Sequence, residues 1–138
     1  SEIYETDFTG DVSCLYATFM FNYGREEHIS ITASAIESRL LDKSPSGGTP
    51  RYEHDLYFKS KPAYMGNPWF VTTLWMSQYY ASINDMDKAR SYIDWTIQNS
   101  LPSGALSEQI NPTDGTIVGV TPLVWSHAEL INAIVKIN

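Results

Sequence analysis

The sequence predicts an all-α domain, and three observations carry that expectation. Apolar residues recur at helical spacing in five segments. The one alternation that could mark a strand, Ile117 to Val120, is too short to count. Between the helical segments lie long loops dense in Gly, Pro, Ser and Thr, which forbid regular structure.

The elements follow in order. Residues 1–10 are polar and aromatic and read as irregular. From Asp11, the apolar positions Val12, Leu15, Tyr16, Phe19, Met20 and Tyr23 form a wide helical face, with Gly24 as the stop. A second helix runs from about Glu26 to Leu41. Its stripe is Ile29, Ala33, Ile36 and Leu40, with Glu37, Arg39 and Asp42 outside it. Residues 43–65 form a long loop, a feature often tied to function. Asn67-Pro68 reads as a cap followed by a first-turn proline. The helix that follows, Trp69 to Ser82, carries no charge and is expected to be buried on most sides. A fourth helix, from Asn84 or Asp85 to about Asn99, is amphipathic on Met86, Ala89, Ile93 and Ile97. A second long loop covers residues 100–121. Thr121-Pro122 repeats the cap-plus-proline start of a last, largely buried helix. Amphipathic helices thus alternate with uniformly apolar ones, as two concentric helical layers would require. No exact sequence repeat is present.

Bulk properties narrow the function. At 138 residues the chain is one domain with a real core. A net charge of -7 argues against nucleic acid and anionic membrane as partners and fits a neutral substrate. The single Cys14 excludes an intrachain disulfide, and His28, His54 and His127 have no metal-ligand spacing. No metal or cofactor is called for. There is no signal peptide and no apolar run long enough to span a bilayer, so a cytoplasmic location is expected. A start at Ser1 without Met is compatible with a processed or excised segment. Trp and Tyr are abundant, and they serve equally as core or as platforms for the apolar faces of sugar rings.

Three loops hold the candidate residues. Glu108, beside Gln109, reads as a general base whose water the amide helps to orient, or as a solvated loop carboxylate. Arg51 could fork two vicinal hydroxyls, or pair with Asp55 or Glu53. Trp69 is a stacking platform or core, Trp125 is ambiguous, and Trp75 and Trp95 read as core. Tyr52, Tyr57 and Tyr64 supply hydroxyls to a pocket or lid the core. A phosphate loop, a Ser/His/Asp order and a Cys/His dyad are all lacking, so any chemistry rests on carboxylates.

Four motifs then occur in order: Arg51-Tyr-Glu-His-Asp-Leu-Tyr57; Gly66-Asn-Pro-Trp-Phe70 with Thr73-Leu-Trp75; Leu106-Ser-Glu-Gln109; and Thr121-Pro-Leu-Val-Trp-Ser-His-Ala128. Together they resemble the C-terminal part of the glucoamylase family, glycoside hydrolase family 15. The likeness runs from about Asp11 to the end, and its flavour is that of the prokaryotic branch of glucoamylases, glucodextranases and trehalases. The resemblance implies a partial (α/α)6 toroid, five to six of its twelve helices, with residues 1–138 forming the C-terminal part of a single catalytic domain. It implies an inverting, exo-acting α-glucoside hydrolase acting on α-1,4-glucan oligosaccharides, or trehalose in second place. It assigns Glu108 as general base, Gln109 as its neighbour, Arg51, Tyr52 and Asp55 to the substrate-binding loop, and Trp69 to the sugar pocket. The family's general acid lies in an earlier loop in a Trp-Glu context, and this chain has no counterpart. The expectation is therefore a fragment, inactive alone, whose partner is the remainder of the domain and whose bare apolar flanks favour self-association. A non-catalytic helical module that binds sugar or oligomerises is the rival reading.

Overall fold

The computed structural model describes residues 7–41 and 44–138. The readings made for residues 1–6 and for Asp42 lie outside them. Among the described residues five helices follow in order: α1 (Ser13–Phe21), α2 (Glu26–Arg39), α3 (Phe70–Ser82), α4 (Met86–Gln98) and α5 (Val124–Ile137).

Helix α3 is the axis of the packing. Every residue from Phe70 to Ala81 is buried, as the absence of charge demands. It packs against α1, α4 and α5, while α2 lies on α1 and α4 lies on both α3 and α5. The expected stripe of α2 is realised by Ala33, Ile36 and Leu40, which join Leu15, Phe19, Met76 and Tyr79 in the largest core cluster. Asp85 caps α4 by accepting from the Lys88 N–H at 3.2 Å.

Several boundaries and faces differ from expectation. Helix α1 stops at Asn22, which takes the left-handed conformation (φ 52) instead of Gly24. Its last turns lie open: Met20, Phe21 and Tyr23 are exposed. In α4 the buried face is Ala89, Tyr92, Ile93 and Thr96, and Ile97 is exposed. Helix α5 is not largely buried: only Ser126, Glu129 and Ala133 are, while Val124, Ile131 and Val135 are exposed. The cause is that α3 and α4 cover α5 from one side only.

Neither Asn67 nor Thr121 caps a helix. Trp69 is drawn into extended form because its N–H bonds Thr49 O (3.1 Å), so α3 begins one residue later. Leu123 is likewise tied to Leu106 O (2.9 Å), and α5 starts at Val124. The short alternation near Ile117 does form a strand. Strand β1 (Gln109–Ile110) pairs antiparallel with β2 (Ile117–Val118), Gln109 opposite Val118.

These backbone pairings line up across the loops. Thr49 bridges Trp69, and Trp69 bridges Gln109, which pairs with Val118. Beside them Asp11 bridges Tyr52. Gly48 lets the first loop lie flat on Trp95: a Cβ there would enter the indole ring, and φ is +73. All the motif-bearing loops are thereby stitched to the N-terminal ends of α1, α3 and α5. Among the described residues no helix is long and apolar enough to cross a membrane.

Candidate active site

A cavity of about 510 Å3 opens where those helix ends converge. Asp11 and Ser13 line it from the start of α1, Trp69, Val71, Thr72 and Trp75 from the start of α3, and Trp125 from the first turn of α5. The loops add Arg51, Tyr52, Tyr57 and Glu108. Helix N-termini carry partial positive charge, which suits the two carboxylates of the lining, Asp11 and Glu108.

Glu108 is held by its backbone on both sides. Its N–H bonds Val120 O (3.0 Å) and its carbonyl accepts from Phe70 N–H (3.3 Å). The carboxylate is half-buried, with Oε2 enclosed and met by no protein donor among the described residues. Room for Oε2 comes from Gly119: a Cβ at that position would overlap it, and φ is +80. A carboxylate can only accept hydrogen bonds. Leaving a buried acceptor unpaired costs about 1–3 kcal/mol, so the carboxylate is held in this position at the expense of Oε2.

Arg51 pairs with Asp55 and not with Glu53, which Arg39 approaches instead (3.4 Å). The pair is bidentate: Nε donates to Oδ2 at 2.7 Å and Nη2 to Oδ1 at 2.8 Å. Asp55 is 1% exposed and also accepts from Tyr57 N–H (3.0 Å). Burial works against its charged form, but the Arg51 hydrogen bonds and charge and the Tyr57 N–H outweigh it, so its carboxyl lies below the ordinary value. The Arg51 guanidinium is raised, first by the Asp55 hydrogen bond. It lies 4.3 Å over the Trp69 ring and 5.1 Å over that of Tyr57. Asp55 thus aims Arg51 from behind and does not itself line the cavity.

Gln109 is fully buried and faces away from the cavity lining, as the alternation along a strand requires of the residue after Glu108. Its Oε1 accepts from Asn67 Nδ2 (2.9 Å). Asn67 in turn donates to Phe58 O (2.8 Å) and accepts from Ser60 N–H (3.0 Å). The Asn67–Gln109 contact therefore ties the Glu108 loop to the loop after Asp55. Helix α5 clamps the same segment. Ser126 Oγ donates to Ser107 O (2.7 Å), and His127 Nε2 accepts from Leu106 N–H (3.1 Å). That bond leaves the ring's proton, when neutral, on Nδ1.

The structure brings Glu108, Arg51, Tyr52 and Trp69 to one cavity, with Asp55 and Gln109 behind them. It adds Asp11, Ser13, Thr72 and Trp75, which sequence reading did not select. Their shared signal was position: each lies at or within two turns of the N-terminus of an apolar helix. Among the described residues no group of three or more His, Cys, Asp or Glu gathers as metal ligands.

Comparison with known proteins agrees with this geometry. The model of the glycosyl hydrolases of family 15 matches residues 89–135, which include Glu108. The uncharacterized glycosyl hydrolase MJ1610 of Methanocaldococcus jannaschii is 34% identical over 137 residues, covering 88% of this chain and 21% of that protein. Trehalase 2 of Sulfolobus acidocaldarius is 25% identical over 91 residues, covering 64% of this chain and 16% of that one. A bacterial glucoamylase solved with acarbose superposes with a TM-score of 0.79 at 24% identity, over 94% of this chain and 20% of that one. The glucoamylase of Saccharomycopsis fibuligera gives 0.75 at 16%, over 94% and 41%. The chain spans about a fifth of the length of these curated relatives. With four ordered motifs, a family match over residues 89–135 and this fold, the chain is related to the family 15 glycosyl hydrolases and forms part of an (α/α)6 toroid.

Proposed function

We propose that this chain supplies the general base and part of the sugar site of an inverting α-glucoside hydrolase. The observation that carries the proposal is the Glu108 carboxylate, held by its backbone on both sides at a cavity that Arg51 and aromatic rings line. In the reaction Glu108 takes a proton from a water that attacks the anomeric carbon. A carboxylic acid on the opposite side of the sugar protonates the departing oxygen. The two carboxyl groups of an inverting pair stand about 6.5–9.5 Å apart to admit the water. That acid, and the helices that close the toroid, come from sequence outside these 138 residues.

Substrate contacts follow from the chemistry of the lining. The Arg51 guanidinium has five N–H donors, of which Asp55 engages two. The others remain for vicinal hydroxyls. Trp69, itself covered by Arg51 and Tyr57, shapes the wall, and Tyr52 and Tyr57 offer hydroxyls. Maltooligosaccharides are the first substrate expected. Trehalose is the second, a reading favoured by the similarity to Trehalase 2. The longer enzyme, incubated separately with maltotriose, maltose and trehalose, is expected to release glucose from at least one of them. Release from none would overturn the hydrolase reading and favour a sugar-binding or assembly role.

A further inference from the structure

Glu129 is a carboxylate that the proposed reaction does not use. It is 4% exposed, and among the described residues it makes no ion pair. Lys136, on the same helix, gives its Nζ to Phe19 O instead (3.1 Å). A buried polar group is costly unless it is hydrogen-bonded, so its partners matter. There are two. Oε2 accepts from Gln78 Nε2 of α3 at 2.6 Å, and Oε1 accepts from the indole N–H of Trp125 at 3.2 Å. Gln78 is fully buried and its own Oε1 is left without a partner, so the amide is committed to Glu129. Trp125 needs such a tether. It sits on the first turn of α5, 49% exposed, with one edge contact to Trp75 at 5.9 Å between centroids.

We propose that Glu129, fixed by Gln78, is a positioning residue that holds the Trp125 ring as a wall of the sugar cavity. The proposal rests on the hydrolase reading only for the identity of the ligand. The bond to Oε1, at 3.2 Å, fixes the indole in one rotamer. Spacing makes the tether: residues four apart on a helix are neighbours, and Gln78 approaches from the helix alongside.

The test is a double-mutant cycle in the longer enzyme, with Glu129→Leu, Glu129→Gln, Trp125→Phe and the Trp125→Phe/Glu129→Leu pair. Coupled contact residues predict that Glu129→Leu raises KM about ten-fold, with kcat within about two-fold. Glu129→Gln keeps an acceptor and should restore KM to near the native value. In the Trp125→Phe background, which has no N–H to hold, Glu129→Leu should add nothing. Independent effects that multiply, or a lowered Tm with unchanged KM, would overturn the proposal. If Glu129→Leu does not fold, Glu129→Asp, one methylene too short, takes its place with the same expectations. A second readout needs no turnover: quenching of Trp125 fluorescence by acrylamide, taken as the difference from Trp125→Phe. It should rise in Glu129→Leu and stay native in Glu129→Gln. Unchanged quenching would overturn the positioning role even in a protein that hydrolyses no sugar, whereas absent hydrolysis with the quenching result intact would overturn only the hydrolase reading.

Discussion

Replacing Glu108 by Gln in the longer enzyme is expected to lower kcat by about 10²–10⁴, the usual contribution of a positioned general base. Gln is isosteric, so Val120 O and Phe70 N–H keep their backbone partners and Gly119 still leaves room for the side-chain head. What is lost is the capacity to take a proton. Binding of maltose or trehalose, measured by calorimetry on the variant, should stay within about three-fold of the native value, since the change touches a step realised only in the transition state. Unchanged turnover would remove Glu108 from the chemistry. An equal loss of binding and turnover would make it a substrate ligand instead.

The second large effect is expected at Asp55. Removing one partner of a buried ion pair costs about 3–5 kcal/mol. The Arg51 side chain is 33% exposed and retains some hydration, so Asp55→Ala should cost nearer 2 kcal/mol. Thermal unfolding reads that loss. Substrate affinity should fall with it, because the guanidinium is no longer aimed across Trp69. The sign of the pH dependence is set by the lowered Asp55 value. A depressed carboxyl stabilises the fold above its unfolded pKa of about 3.9 and loses that contribution as pH falls through the lower, folded value. The stability gap between native and Asp55→Ala proteins should therefore be full at neutral pH and close only below about pH 4. A gap that stays constant into that acid range would show that the pair contributes by packing and not by charge.

Much of this organisation was legible in the sequence for physical reasons. The charge-free run from Trp69 to Ser82 could only be a buried helix, and the amphipathic stripe of α2 could only lie on a surface. What was misread depended on contacts between segments distant in the chain. Asn67 has the chemistry of a cap, but Ser60 N–H takes its Oδ1, and Gln109, forty-two positions on, takes its Nδ2. Ile117 and Val118 are a strand only because Gln109 and Ile110 lie beside them. Trp75 is core, as its spacing predicts, and its place in the cavity lining beside Trp125 is what the spacing did not reveal. The apolar positions of α5 were read as buried from composition alone, but α3 and α4 cover only part of that helix. Gln109 illustrates the limit of local reading: adjacency to Glu108 places it on the opposite face of the strand, where it fastens the loop from behind.

In the proposed reaction Glu108 directs water onto the anomeric carbon from the side opposite the departing oxygen. Proton NMR of the first glucose released from an α-linked substrate by the longer enzyme tests it most directly, before mutarotation equalises the anomers. Inversion predicts β-glucose as the initial product. Initial α-glucose would mean retention, and Glu108 would not be the general base of an inverting reaction.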